Sequence, residues 1–203
     1  PRMPRISGVK LATGNCGFKL EGSDDLLLIK LEANTVIAGI FTRSLTAAAP
    51  VEWCKAALRS GQVRAIVVNS GNANAFTGRV GVLAVQAIVN KIADTLSCSK
   101  DQVFISSTGV IGVPLPVDRL IKTLPVLNQS FSQNNWKAAA KTITTTDTFA
   151  KGSTKATEID GNKVIINGIA KGSGMISPNM GTMLCYIFTD AKIGQSILQK
   201  ALQ

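Results

Sequence analysis

At 203 residues and 45% hydrophobic content, the chain is long enough to bury a substantial core, as one sizeable domain or two small ones. It contains no histidine, which excludes a Ser-His or Cys-His nucleophile built within it and removes the usual zinc ligand, so no metal site is expected. The net charge of +10 raises nucleic acid as a partner, but Lys and Arg fall singly from Arg2 to Lys200, and one Tyr and two Trp offer little for base stacking; no nucleic-acid partner is expected.

The apolar runs Asp25–Leu31 ("DLLLIKL") and Val36–Phe41 ("VIAGIF"), separated by "EANT", predict a pair of strands. "PVEWCKAALRSG" predicts a helix with Pro50 near its start and Gly61 as its stop. Val63–Asn69 ("VRAIVVN") is a β-branched run typical of a buried strand, followed by the polar loop "SGNANAFTG" and by helical spacing over Gly81–Leu96. A second strand, loop and helix follow as "VFISS", "TGVIGVPLP" and "VDRLIKTL". Asn135–Ile143 reads as helix, and "EIDGNKVII" as a hairpin turning at Asp160-Gly161. A Gly/Pro-rich loop, Gly172–Asn179, leads into a strand from about Thr182 to Phe188 and a helix N-capped by Asp190. With no repeat or low-complexity linker, the chain reads as one continuous layered α/β body.

No apolar run nears the roughly 20 residues of a membrane helix, and "PRMPRISGVKLATG" lacks the apolar stretch of a signal peptide. The expectation is a cytoplasmic protein, or a mitochondrial-matrix one in a eukaryote, with no membrane partner. Cys16, Cys54, Cys98 and Cys185 are scattered without CxxC spacing and read as free, mostly buried thiols.

Three loops set small polar residues at strand ends, where binding groups collect: "NSGNANAFTG", "SSTGVIG" and "AKGSGMISPNMGT". None is a phosphate loop or a dinucleotide fingerprint, and "SSTGVIG" is no GxSxG elbow. One chemistry needs no histidine. A threonine at a newly made N-terminus uses its own α-amino group as base, because that amine has a pKa near 8, roughly two units below lysine. Thr182 qualifies if the Gly181-Thr182 bond is cut, since Gly181 permits a strained turn that exposes its carbonyl to the Thr182 hydroxyl. On local grounds alone an ordinary strand residue is the commoner meaning of such a Gly-Thr pair.

"KGSGMISPNMGTMLCYIFTDA" (Lys171–Ala191) closely resembles the self-cleavage region of the bifunctional ornithine acetyltransferases, the ArgJ family. "GVKLATGNCGFK", "AGIFTRSLTAAAPV", "VVNSGNANAFTG", "SSTGVIGVPLP", "TTTDTFAKG" and "NGIAKGSGM" resemble family blocks in the same order, over nearly the whole chain. The resemblance implies a layered α/β sandwich of the ArgJ/DmpA-like type, with mixed sheets covered by helices. It also implies glutamate N-acetyltransferase activity, with N-acetylornithine as acetyl donor, glutamate as acceptor, acetyl-CoA as a further donor in some members, and no cofactor. Residues 1–181 would be the α-chain region and 182–203 the start of a β chain whose first residue, Thr182, is the nucleophile, the two chains assembling as an α2β2 heterotetramer. By the same match Thr108 and Gly109 form the oxyanion hole, and Thr145, Lys171 and Thr182 bind substrate. Two departures stand out: Gly181 replaces the family's usual Ala, and the family's remaining binding groups, near a distant C-terminus, have no counterpart among these residues. Other readings are a non-catalytic fragment of the same fold and an aminopeptidase or amidase using the same N-terminal nucleophile.

Overall fold

A computed structural model describes residues 3–19, 22–173 and 183–203. Strands β1 (Val9–Gly14), β2 (Leu26–Leu31), β3 (Ala65–Asn72) and β4 (Val103–Val110) form a mixed sheet in that order. The first two pairings are antiparallel and the β3–β4 pairing is parallel. Parallel neighbours need a long crossover, and here it contains α2 (Gly78–Leu96). The buried residues of α2, from Gly81 and Ala84 to Ala93 and Leu96, recur every three or four positions, the spacing that gives a helix one apolar face. Helix α1 (Ala49–Ala57) begins with Pro50 in its first turn and stops, through a short 3-10 turn, at Gly61 with φ +67°.

Strand β2 shows why its sequence does not alternate. Leu26, Leu27, Leu28, Ile29 and Leu31 are all buried, because α1 and α2 lie against β4 while α3 (Val117–Gln129) and α4 (Trp136–Thr142) lie against β1. A strand covered on both faces reads as a continuous apolar run. Lys30 is its single polar residue, and its ammonium lies 5.7 Å from the Phe131 ring.

A second sheet, β5 (Lys151–Ile159), β6 (Asn162–Lys171) and β7 (Leu184–Thr189), is antiparallel throughout. The expected turn at Asp160-Gly161 is present, with φ of +49° and +75°, the two positive angles of a tight hairpin. Helix α4 packs against strands of both sheets, and its Trp136 meets Phe188 of β7 edge-on at 5.4 Å. The last helix, α5 (Gln195–Leu202), clasps the segment after β2. Gln199 accepts from Gly39 N at 3.0 Å and donates to Gly39 O at 3.1 Å.

Several expectations need correction. Val36–Phe41 is not a strand beside β2: beyond one bridge from Val36 to Gln62 it stays irregular, and Ile37 and Gly39 bond to Gly61 and Gln199 instead. Both edges of β2 are already taken, by β1 and β3. Strand β1 was not expected, because "VKLATG" carries small residues and a glycine in place of a β-branched run. Asp190 does not cap the last helix; Gly194 stands there, and Asp190 accepts from Ile165 N at 2.8 Å. Of the four free thiols only Cys16 and Cys54 are buried; Cys98 is half-buried and Cys185 exposed. Among the described residues no helix is long and apolar enough to cross a membrane.

Burial pushes the Cys16 and Cys54 thiols up to about 12, so they stay neutral and shielded. Alkylation of the native protein near neutral pH is expected to label Cys185 and spare Cys16 and Cys54 until urea unfolds the chain. Peptide mapping reads this directly, and native labelling of Cys54 would contradict the packing of α1 on β4.

Candidate active site

The site forms where the two parallel strands end. Ser70 pairs with Thr108 and Gly71 with Gly109, after which the register breaks at Asn72. The approach leaves no room for side chains. A Cβ on Gly109, whose φ is +134°, would fall 2.3 Å from the carbonyl carbon of Gly71. One on Gly71, at φ +100°, would fall 2.4 Å from the Phe18 carbonyl oxygen. The loop bearing Phe18 is itself fixed by Asp25. That fully buried carboxylate accepts from Cys16 N and Phe18 N at 2.6 Å each and from Lys19 N at 3.2 Å. A buried carboxylate stripped of water must find such donors, and the loop must fold around it to supply them.

The first polar loop, "NSGNANAFTG", spends its amides on the protein. Asn69 donates to Asn72 O at 2.8 Å, Asn72 to Val113 O at 3.0 Å and Asn74 to Gly81 O at 3.0 Å. All three asparagines are buried. They pin the ends of β3 and β4 and the start of α2.

The second and third loops meet at Lys171, the last residue of β6. Its side chain is 1% exposed, and its ammonium donates to the Thr108 hydroxyl at 3.1 Å and to the Thr145 hydroxyl at 2.7 Å. Desolvation holds the lysine below its ordinary value of 10.5; the attraction of Asp147 opposes this and the charge of Lys151 adds to it. Asp147 organises the surroundings. Its carboxylate, ion-paired to Lys151, accepts from Gly172 N at 2.9 Å and Thr145 N at 3.4 Å, fastening the residues on either side of the lysine contact. Burial alone would raise the Asp147 carboxyl, but the Lys151 bond and these N–H groups outweigh it and hold it below 3.8.

A groove of about 2430 Å³ runs past these groups and is lined by Thr108, Gly109, Thr145, Thr146, Ser173 and Met183 among others. Small-ligand pockets measure roughly 300–1,000 Å³, so this groove exceeds what one amino acid requires. Two hydroxyls, a buried cation and the backbone of Gly109 suit a developing negative charge on oxygen. Among the described residues no cluster of His, Cys, Asp or Glu could hold a metal ion.

Thr108, Gly109, Thr145 and Lys171 are thus brought to one place. Gly181 and Thr182 lie outside the described residues. Sequence reasoning missed Asp25, Gly71, Asp147 and Lys151. The Asp24-Asp25 pair heading an apolar strand was the one available signal for a buried carboxylate; Gly71 and Asp147 offered none beyond loop composition.

Residues 10–203 match the profile of the ArgJ family. The arginine biosynthesis bifunctional protein ArgJ of Gluconobacter oxydans is 45% identical over 202 residues, which is 100% of this chain and 48% of that protein. The chain therefore spans about half the length of such curated relatives. The crystal structure of the arginine biosynthesis bifunctional protein ArgJ from Bacillus halodurans superposes with a TM-score of 0.80 at 31% identity, covering 88% of this chain and 92% of that one. The ornithine acetyltransferase of Mycobacterium tuberculosis complexed with ornithine gives 0.70 at 30% identity, covering 88% and 94%.

Two outcomes test this geometry. Gly112 also has a positive φ, of +84°, but open space around it; Gly112→Ala should cost about 1–2 kcal/mol. Gly109→Ala adds a backbone clash and should cost about 2–5 kcal/mol, read by urea unfolding. The second concerns pH. Because the folded state lowers the Lys171 pKa, the unfolded chain binds more protons between that lowered value and 10.5, and the lysine's contribution to stability rises with pH across that window. Cys16 and Cys54 act oppositely above 9.0, since the unfolded thiols ionise first. The comparison is therefore between the parent and Lys171→Met: the stability of the parent relative to the variant should increase as pH rises toward 10.5.

Proposed function

The chain belongs to the ArgJ family, and from that premise we propose that it is the α half and the start of the β half of a glutamate N-acetyltransferase of arginine biosynthesis. Acetyl moves from N-acetylornithine to glutamate through an ester on Thr182, exposed by cleavage between Gly181 and Thr182. The observation that carries this reading is that the buried Lys171 ammonium holds the hydroxyls of Thr108 and Thr145, both of which line one groove. Leu184, two positions after Thr182, pairs with Lys171 in the β6–β7 register. The ornithine bound by the Mycobacterium tuberculosis relative supports a substrate with an ornithine skeleton.

The steps follow from acyl-transfer chemistry. The Thr182 hydroxyl attacks the preceding carbonyl, the amide becomes an ester, and water releases the new N-terminus. In the mature site the free α-amine takes the hydroxyl proton as Thr182 adds to the acetyl carbonyl. The Thr108 hydroxyl and Gly109 N–H receive the oxyanion, each such donor being worth about 3 kcal/mol. Ornithine leaves with the proton on its nitrogen. The amine of glutamate then attacks the ester, and Thr182 recovers its hydroxyl. No electrons change hands, so no redox cofactor is required; acetyl-CoA would serve only as an alternative donor. Thr145 and Lys171 are assigned to substrate binding.

The size of the groove bears on the partner. Val110, Ile111, Met183 and Ile187 line it and are more than a third exposed. They form the surface against which the remainder of a β chain would pack, in the α2β2 assembly proposed for the processed protein.

Intact-mass measurement of the protein, expressed at the length of its relatives, should show cleavage between Gly181 and Thr182. Thr182→Ala should abolish both cleavage and acetyl transfer, and transfer retained by that variant would overturn the nucleophile assignment. Release of free amino acid from N-terminal peptides, without acetyl transfer, would favour the aminopeptidase alternative.

A further inference from the structure

The Lys171 ammonium has three donors and no lone pair. A threonine hydroxyl has one proton and two acceptor sites. Since Thr108 Oγ1 lies 3.1 Å from Lys171 Nζ, it must be the acceptor of that bond, and its own proton must point elsewhere. Among the described residues the Thr108 hydroxyl makes no other hydrogen bond, and Thr108 lines the groove. The same logic turns the Thr145 proton away from the lysine. A free hydroxyl rotor would have to be oriented during the reaction; one already accepting from a cation is oriented beforehand, and its O–H bond is polarised by the charge behind it.

Lys171 itself is not among the groove-lining residues, and its hydrogen bonds run to two that are, Thr108 and Thr145. Asp147, the carboxylate nearest in sequence to this contact, is committed to Lys151 and to two backbone N–H groups. Among the described residues Lys171 is in no ion pair, and the two hydroxyls are its only hydrogen-bond acceptors.

We propose that Lys171 is a positioning residue that acts through Thr108, directing the hydroxyl proton into the groove and lending its positive charge to the oxyanion. This inference rests on the acyl-transfer reading of the site and adds to it a second role for Lys171, beside substrate binding.

A double-mutant cycle in kcat tests it, using the processed enzyme with processing confirmed by mass. A variant that fails to process is replaced by co-expression of the two chains, the second beginning at Thr182. Lys171→Met keeps the length of the side chain without its charge, and Thr108→Val keeps the shape without the hydroxyl. Each alone should lower kcat by about 10²–10³-fold. Together they should lower it no more than Thr108→Val does, because the lysine has lost the group through which it acts. Thr108→Ser restores the hydroxyl, so in that background Lys171→Met should again cost as much as in the parent. Losses that multiply in the double variant would overturn the inference, as would a Lys171→Met effect confined to KM. Circular dichroism checks folding, and Lys171→Gln supplies the cycle if the Met variant does not fold. An absence of acetyl transfer in the parent enzyme would overturn the proposed function itself, and this inference with it, an outcome distinct from transfer without coupling.

Discussion

Two peptide units pressed together at the ends of β3 and β4 set the terms for the rest of the molecule. Gly71 and Gly109 approach so closely that neither can carry a side chain, and Gly71 is in turn backed by the Phe18 carbonyl. Such an approach is stable only if everything behind it is held. Asp25 holds the Phe18 loop through three backbone donors, and the asparagines of the β3 end hold both strand ends through theirs. The polar groups buried here are costly unless satisfied, which gives this corner a single way to fold.

Against that rigid corner the second sheet brings its cation. Helix α4 is packed between the sheets, and the chain leaving it carries Thr145 and Asp147 before it enters β5. Asp147 fastens that connection to Gly172, so Thr145 and Lys171 are held as a pair. A buried lysine without a carboxylate partner is expensive to keep in a fold. Retaining one directly behind two groove-lining hydroxyls, with the attraction of Asp147 but, among the described residues, no ion pair to offset its burial, fits a site that stabilises negative charge, and this underlies the acyltransferase proposal.

Local features of the chain were legible wherever one short-range rule decided them. The β-branched run of β3, the apolar face of α2, the proline and glycine bounding α1, and the Asp160-Gly161 turn all announced themselves. Where the outcome depended on partners distant in sequence, they did not. Val36–Phe41 has the composition of a strand, but β2 had no free edge to offer it. Strand β1 has a poor strand composition and forms because β2 accepts it. The site shows the same division. Lys171 lies 63 residues from Thr108 and 26 from Thr145, and no spacing rule connects such positions; their association came from the resemblance to a family and from the folded chain. The asparagine-rich loop carried the residue types of a site, yet its amides turn inward to the backbone.

The hold of α5 on Gly39 bears on what one peptide bond means to this fold. Residues 39 and 199 are 160 apart, and they meet through a two-way amide pair while β7 completes its sheet through a full ladder to β6. The stretch from Leu184 to the end is therefore docked by contacts that do not depend on its covalent link to what precedes it. Under the proposed scission the molecule would exchange one connected strand and helix for the same strand and helix delivered as a second chain. Its shape would persist while its chemistry changed, a zymogen whose activation requires no rearrangement of its frame.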